Sequence, residues 1–434
     1  MSSFSRRKFL ATAGVTTLGT LLARGCGSSE PPAPSATETL APAPTANVNP
    51  ADAPETPKAK LGFIALTDAA PLVIAKEKGL FDKYGMTEVE VTKQASWAVT
   101  RDNLVLGSDG GGIDGAHILS PMPYLISEGI VTNGKKVPMY ILARLNLNGQ
   151  GISLSNAFKD KNVTLDSAPL KGALKKVAVT FPGGTHDMWM RYWLSASGIE
   201  PVKDVDVIVV PPPQMVANVK AGAMDAFCVG EPWPLQTVNQ DVGYTAITTG
   251  EFWKDHPEKA FAMRGDWVDK NPKATKALLM AVQEAQQWCD NPSNYEEMCQ
   301  IVGRDEWFKV PVTDILDRTK GNFDMGNGRK LENSDLRQIY WNRNASYPFK
   351  SHDLWFLTEN IRWGYYPADT DTKKLVDAVN REDLWREAAK AWGQEAAIPA
   401  STSRGVETFF DGVKFDPENP KAYLDGLKIK SLKA

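Results

Sequence analysis

Lys175-Lys-Val-Ala-Val-Thr-Phe-Pro-Gly-Gly-Thr-His-Asp-Met-Trp-Met-Arg-Tyr-Trp-Leu194 changes its periodicity halfway along. Val177, Ala178, Val179 and Phe181 form a short apolar run with β-branched content, and Met188, Tyr192 and Leu194 then recur at helical spacing. Between them stands Pro182-Gly183-Gly184. The stretch therefore reads as a strand, a tight turn and a helix start. Thr185 or Asp187 is placed to cap that helix, and His186 sits where free N–H groups and the positive dipole end gather. Such a terminus attracts anions. Taken alone, the stretch reads first as a βα turn with an N-cap, and other stretches decide whether it is more.

The segments on either side repeat the pattern. Downstream, Val205 to Val210 is a buried strand closed by Pro211-Pro-Pro213, Gln214 to Gly222 is a short helix, and Ala223 to Val229 is another strand. Gly230-Glu-Pro-Trp233 follows at its carboxyl end, where ligands sit in open α/β sheets. Upstream, the strand Val137 to Ala143 leads to Gly149-Gln150-Gly151, where the glycines admit a ligand and the Gln150 amide can donate to it. Nearer the start, Lys60 to Leu66, Leu72 to Gly79 and Glu88 to Thr92 make a βαβ unit. Trp97 opens the next helix, at a cleft mouth or in the core. Lys259 begins an apolar strand, although a lysine alone carries little meaning. From Asp266 helical segments run to about Trp392, and a Pro-rich tail follows that is expected to wrap the surface.

Several function classes are excluded. A net charge of −3 provides no basic field for nucleic acid. Ser108 to His117 is glycine-rich but fits neither a phosphate loop nor a dinucleotide motif. No paired nucleophile and base and no metal-ligand cluster stands out, so the chain reads as a binding protein and not an enzyme. Besides Cys26, the cysteines are Cys228, Cys289 and Cys299. Small buried apolar residues describe them best, with a Cys289–Cys299 bridge as the alternative.

Residues 1–26 read as an export signal: Arg6-Arg7 before a modest apolar run resembles a twin-arginine signal, and Leu21 to Cys26 resembles a lipoprotein cleavage site with Cys26 as the lipid carrier. Ala23 and Arg24 are atypical for such a site. Residues 27–58, rich in Pro, Ala, Ser and Thr, read as a disordered tether. About 375 residues remain, more than one compact core usually supports, so two lobes are expected.

Four stretches carry a family resemblance: Leu72 to Gly85, Phe181 to Asp187, Ala221 to Ala226 with Gly230 to Trp233, and Met263 to Lys273. Together they resemble the cyanobacterial nitrate-binding and bicarbonate-binding lipoproteins of ABC importers. The resemblance implies an α/β fold of the two-lobed periplasmic solute-binding type, with mixed sheets and a helical, wrapping C-terminal extension. Residues 59–165 and 266–434 are expected to form lobe I and residues 166–265 lobe II. It also implies a monomer that is lipid-anchored on the periplasmic side of the inner membrane and passes nitrate, with nitrite, to a permease and an ATPase.

Carried over residue by residue, the nitrate-binding pattern places the anion near Trp97, Gln150, His186, Gly230 and Lys259, with no metal and no cofactor. Nitrate is a poor acceptor, so a buried site needs donors at its edge and one nearby positive charge. In the bicarbonate-binding relatives a glutamate stands in place of the lysine and recruits calcium. Glu258 adjoins Lys259, and strand alternation is expected to point only one of them into the cleft. Lys259 in that position implies nitrate; Glu258 there would imply bicarbonate with calcium. Two other readings are weaker: the export signal speaks against kinship to pyrimidine-synthesising proteins of this fold, and the lack of a Walker motif against a sensor domain fused to an ATPase.

Overall fold

The computed structural model describes residues 52–432. The expected signal, the lipidation site Cys26 and most of the expected tether lie outside the described residues. The tether's last residues are not loose. The Glu55 carboxylate accepts the N–H groups of Lys273 and Ala274, two free donors in the first turn of the helix Pro272–Cys289. At Lys58 the chain has already entered a strand.

Two five-stranded mixed sheets organise the fold. The first contains β1 (Lys58–Phe63), β2 (Glu88–Lys93), β3 (Gly115–Leu119), β4 (Met139–Arg144) and β10 (Lys259–Arg264), in the order β2-β1-β3-β10-β4. The second contains β5 (Gln150–Ser155), β6 (Lys176–Val179), β7 (Asp206–Val209), β8 (Ala226–Gly230) and β9 (Gly243–Thr248), in the order β7-β6-β8-β5-β9. In each sheet three strands run parallel through βα connections, one later or earlier strand enters antiparallel beside them, and the fifth, β4 or β9, pairs antiparallel with that strand at the sheet edge. Of the apolar runs picked out in the sequence, Ala223 to Val229 is the central, fully buried β8, whereas Val205 to Val210, expected to be buried, is the edge strand β7 with Val209 half exposed, because only one neighbour covers it.

The chain crosses between sheets twice, from β4 to β5 and from β9 to β10. The expected lobe boundaries at 165/166 and 265/266 therefore fall one strand too late. An antiparallel strand that opens or closes a lobe carries no βα signature, so the pattern could not assign β5 or β10 to its sheet. The two crossings are tied together, since Leu147 bridges both Pro257 and Ile339. Ile339 belongs to the C-terminal part of the chain, which adds one bridge to the two crossings.

The C-terminal extension serves both lobes, whereas the sequence reading attached all of it to the first. The helix Pro272–Cys289 packs on the helix Ala70–Glu77 of the first lobe. The helix Lys350–Arg362 packs on the helix Thr185–Ala196 of the second. Three tryptophans meet at this second contact. Trp189 stacks on Trp355 at 4.9 Å, and Trp253, Phe252, Phe356 and Phe409 pack around them edge to face or tilted. The extension is thus part of the second lobe's core. Cys228, Cys289 and Cys299 are buried free thiols, as the sequence reading preferred.

Removing one side of the stacked pair tests this arrangement. Trp355→Ala is expected to cost about 3–5 kcal/mol of unfolding free energy in a denaturant titration. A loss under about 1 kcal/mol would mean that the extension is only draped on the surface.

Candidate functional site

The strand directions put one edge of each sheet at the interlobe cleft. Parallel β1, β3, β6 and β8 end there, and antiparallel β5 and β10 begin there: Gln150 lies opposite Gly230, the last residue of β8, and Lys259 opposite Leu119, the last of β3. The strand carboxyl ends are the expected ligand edge of an open α/β sheet. His186 follows the turn after β6, and Trp97 opens the helix Trp97–Leu106 after β2.

All five sequence-predicted residues meet in one buried cluster. Trp97, Gln150, His186 and Lys259 have no exposed surface. The Lys259 ammonium lies 5.9 Å from the Trp97 ring centre, and the indole N–H of Trp97 has no hydrogen-bond partner. Gln150 Oε1 lies 2.7 Å from His186 Nε2. At Gly230 a Cβ would sit 2.6 Å from that same Oε1 and 3.2 Å from Asp68 Oδ2, so any other residue would push into the cluster. This is the close approach that glycine permits. Gly183, in the preceding turn, has φ +71° and is approached by the Asn360 side chain, which explains the glycine pair.

Asp68 is the residue the sequence reading missed. Its Oδ2 accepts from the Lys259 ammonium at 2.9 Å and from the Gln150 amide at 3.0 Å, and its Oδ1 faces His117 Nε2 at 2.5 Å. The only signal was positional: Thr67-Asp68 is the turn at the carboxyl end of β1. His117 was read as the end of a glycine-rich stretch, but it lies within β3 and is fully buried.

Glu258 and Lys259 both enter the cluster, contrary to the expectation that only one could. Alternation binds residues of one strand, and Glu258 precedes the first residue of β10. Its carboxylate reaches the second lobe, where it accepts from the Thr185 hydroxyl and from Trp189 Nε1 at 2.7 Å. The Lys259 ammonium joins the two acids, 3.0 Å from Glu258 Oε1. Thr185 accordingly does not cap its helix. Asp187 accepts the N–H of Gly183 and pairs with Arg191, so neither proposed side chain makes the expected cap bond.

Burial decides how these groups ionise. Burial disfavours the Asp68 carboxylate, but Lys259 and His117 outweigh it and hold the carboxyl well below its usual range. Burial likewise disfavours the Lys259 ammonium, and Asp68 and Glu258 carry it above its usual value. At Glu258 burial wins over Lys259 and the carboxyl is raised. Burial depresses all three cluster histidines: His117 despite Asp68, His186 well below its usual value, and His256 to about 3. The cluster therefore offers an ammonium, amide and imidazole donors and an unpaired indole N–H, in a dry space where charge interactions are strong.

An NMT1-like family model matches residues 52–303. The chain is 66% identical to the nitrate/nitrite binding protein NrtA of Synechocystis sp. over 450 aligned positions, covering all of both chains. It is 46% identical to the bicarbonate-binding protein CmpA of Synechococcus sp., covering 98% of each. Among solved structures, the periplasmic nitrate-binding protein NrtA from Synechocystis superposes with a TM-score of 0.86 at 71% identity, covering 87% of this chain and all of that one.

The depressed histidines predict how stability depends on pH. His352, buried outside the cluster, is also pushed down to about 3, so burial holds each of the four histidines below its usual value in the folded chain. Below about pH 6.5 the unfolded chain binds more protons than the folded one, and each such histidine costs about 1.4 kcal/mol per pH unit. Stability is thus expected to be complete above that pH and to fall steeply towards pH 5 in thermal melts. A flat profile across that window would contradict neutral buried imidazoles. From its sequence matches and its fold, the chain belongs to the NMT1-like family, in the branch that holds the nitrate/nitrite-binding and bicarbonate-binding proteins.

Proposed function

We propose that the chain is the solute-capturing component of an importer for nitrate, and for nitrite with it, and that the anion is held between the lobes by Trp97, Gln150, His186, Gly230 and Lys259. One observation carries this reading: a fully buried ammonium at the cleft edge, with the Gln150 amide and the unpaired Trp97 indole N–H beside it. A planar monoanion suits such a set, with donors around its rim, one positive charge close by and an apolar wall. At 4 Å and an effective dielectric of about 20, the ammonium attracts a monoanion by about 4 kcal/mol before desolvation. The higher identity to the nitrate/nitrite binding protein than to the bicarbonate-binding one supports the same solute.

The work is capture and delivery. Two lobes joined by two crossings and a C-terminal bridge are built to close on a solute, and binding shifts that equilibrium for a permease to read. Among the described residues no helix is long and apolar enough to cross a membrane. A periplasmic protein tethered by lipid on Cys26, serving a permease and an ATPase, fits a body with that construction. We assign it no catalysis and no cofactor.

Glu258 keeps bicarbonate as a second reading, because its carboxylate shares the cluster with Lys259. Titration calorimetry with nitrate, nitrite and bicarbonate, each with and without calcium, separates the two. Nitrate and nitrite are expected to bind without calcium. Bicarbonate binding that needs calcium, with nitrate silent, would replace the solute. His186→Ala is expected to abolish nitrate binding while the melting profile above neutral pH stays cooperative; normal binding would remove His186 from the site.

A further inference from the structure

We propose that this site takes in a proton together with its anion, and that Asp68 is the specificity residue that makes the proton necessary. The inference rests on the nitrate reading above. Two acids, Asp68 and Glu258, each contact the same Lys259 ammonium. Two of the groups assigned to the solute, the Lys259 ammonium and the Gln150 amide, already converge on Asp68 Oδ2. A monoanion that engages them stands against a carboxylate and shares a single ammonium with two acids. Buried like charges at such distances are not tolerated unless one is neutralised.

Hydrogen bonding and position select where the proton goes, and at Glu258 both oxygens already accept, from Thr185, Lys259 and Trp189, so a proton there would displace a donor. Gln150 Nε2 faces a carboxylate, which can only accept, so Gln150 Oε1 faces His186 and His186 carries its hydrogen on Nε2. His186 Nδ1 faces the Thr180 hydroxyl, a rotor able either to donate or to accept. A second proton on Nδ1 therefore turns the hydroxyl round and loses no hydrogen bond. His117 has no such freedom, because its Nε2 donates to Asp68 and its Nδ1 receives the Ile64 N–H at 3.4 Å. His256 donates from Nδ1 to the Pro257 carbonyl and faces the Thr249 hydroxyl with Nε2, so it has a rotor too, but unlike His186 it makes no side-chain hydrogen bond to a residue assigned to the solute.

His186 is also surrounded on every side by the groups that would sense an added charge. Glu258 Oε1 is 3.5 Å from its Nε2, and Lys259, Asp68, His117 and His256 all act on it through space. As the cluster stands, burial and Lys259 keep the ring neutral. An incoming anion adds the negative charge that favours the imidazolium. The proton comes from solvent, binds Nδ1 and donates to Thr180 Oγ1, and no covalent bond is made or broken.

Calorimetry of sodium nitrate binding to the purified protein, repeated at one near-neutral pH in buffers of different ionisation enthalpy, counts the protons. About one proton taken up per nitrate is expected, with the affinity falling about tenfold per pH unit as pH rises. Asp68→Asn should bring the count towards zero and flatten the pH profile. Thr180→Val, which removes the hydroxyl that turns to accept, should move the fall in affinity to lower pH. Nitrate binding with no proton taken up, or an Asp68→Asn count equal to that of the wild type, overturns the proposal. If nitrate gives no heat and does not compete with nitrite, the nitrate reading itself fails, and the proton with it.

Discussion

A buried ammonium cannot stand alone in a protein interior, and much of this architecture follows from how one is accommodated. Lys259 has no exposed surface, and taking its charge out of water costs several kcal/mol unless partners replace the hydration. The partners come from both halves of the molecule. Asp68 arrives on the turn after β1, and Glu258 arrives on the crossing segment with its carboxylate anchored to Thr185 and Trp189 of the second lobe. The ion cluster thereby holds the lobes together as well as marking the site. Removing Lys259 leaves two buried acids without their shared counter-charge.

The position of that cluster is a consequence of strand polarity. Parallel strands joined by helices present their carboxyl ends on one edge, and each sheet then admits an antiparallel strand that begins on that same edge. Gln150 and Lys259 are the first residues of those two strands. A chain that returns to complete the opposite sheet thus delivers Gln150 from one crossing and Glu258 with Lys259 from the other into the cleft. The C-terminal extension stiffens this arrangement by bridging Leu147 at the hinge and stacking Trp355 on Trp189 in the second lobe.

The sequence made the local elements legible because their cues are local. The 175–194 stretch folds as a strand, a glycine turn and a helix, since its apolar period changes beside a glycine pair that admits Asn360. The five residues carried over from the family pattern lie together for the same reason: each stands at a strand end or a helix start. What stayed hidden depends on the third dimension. Asp68 is an ordinary turn acid until Lys259, 191 positions later, comes within 2.9 Å. The lobe boundaries escaped because antiparallel β5 and β10 carry no connection signature. The joint entry of Glu258 and Lys259 escaped because the strand starts between them, so alternation does not govern the pair. Thr185 was assigned to its own helix, but a long-range acid claims its hydroxyl.

The central claim is that one ammonium sets the charge of the solute. Calorimetric titration of nitrate into a Lys259→Met protein, beside the wild type, tests it most directly. The account predicts an affinity loss of about a thousandfold, the equivalent of the attraction expected at contact distance in a poorly solvated site, with a cooperative thermal transition retained. Nitrate bound by Lys259→Met as tightly as by the wild type would contradict it.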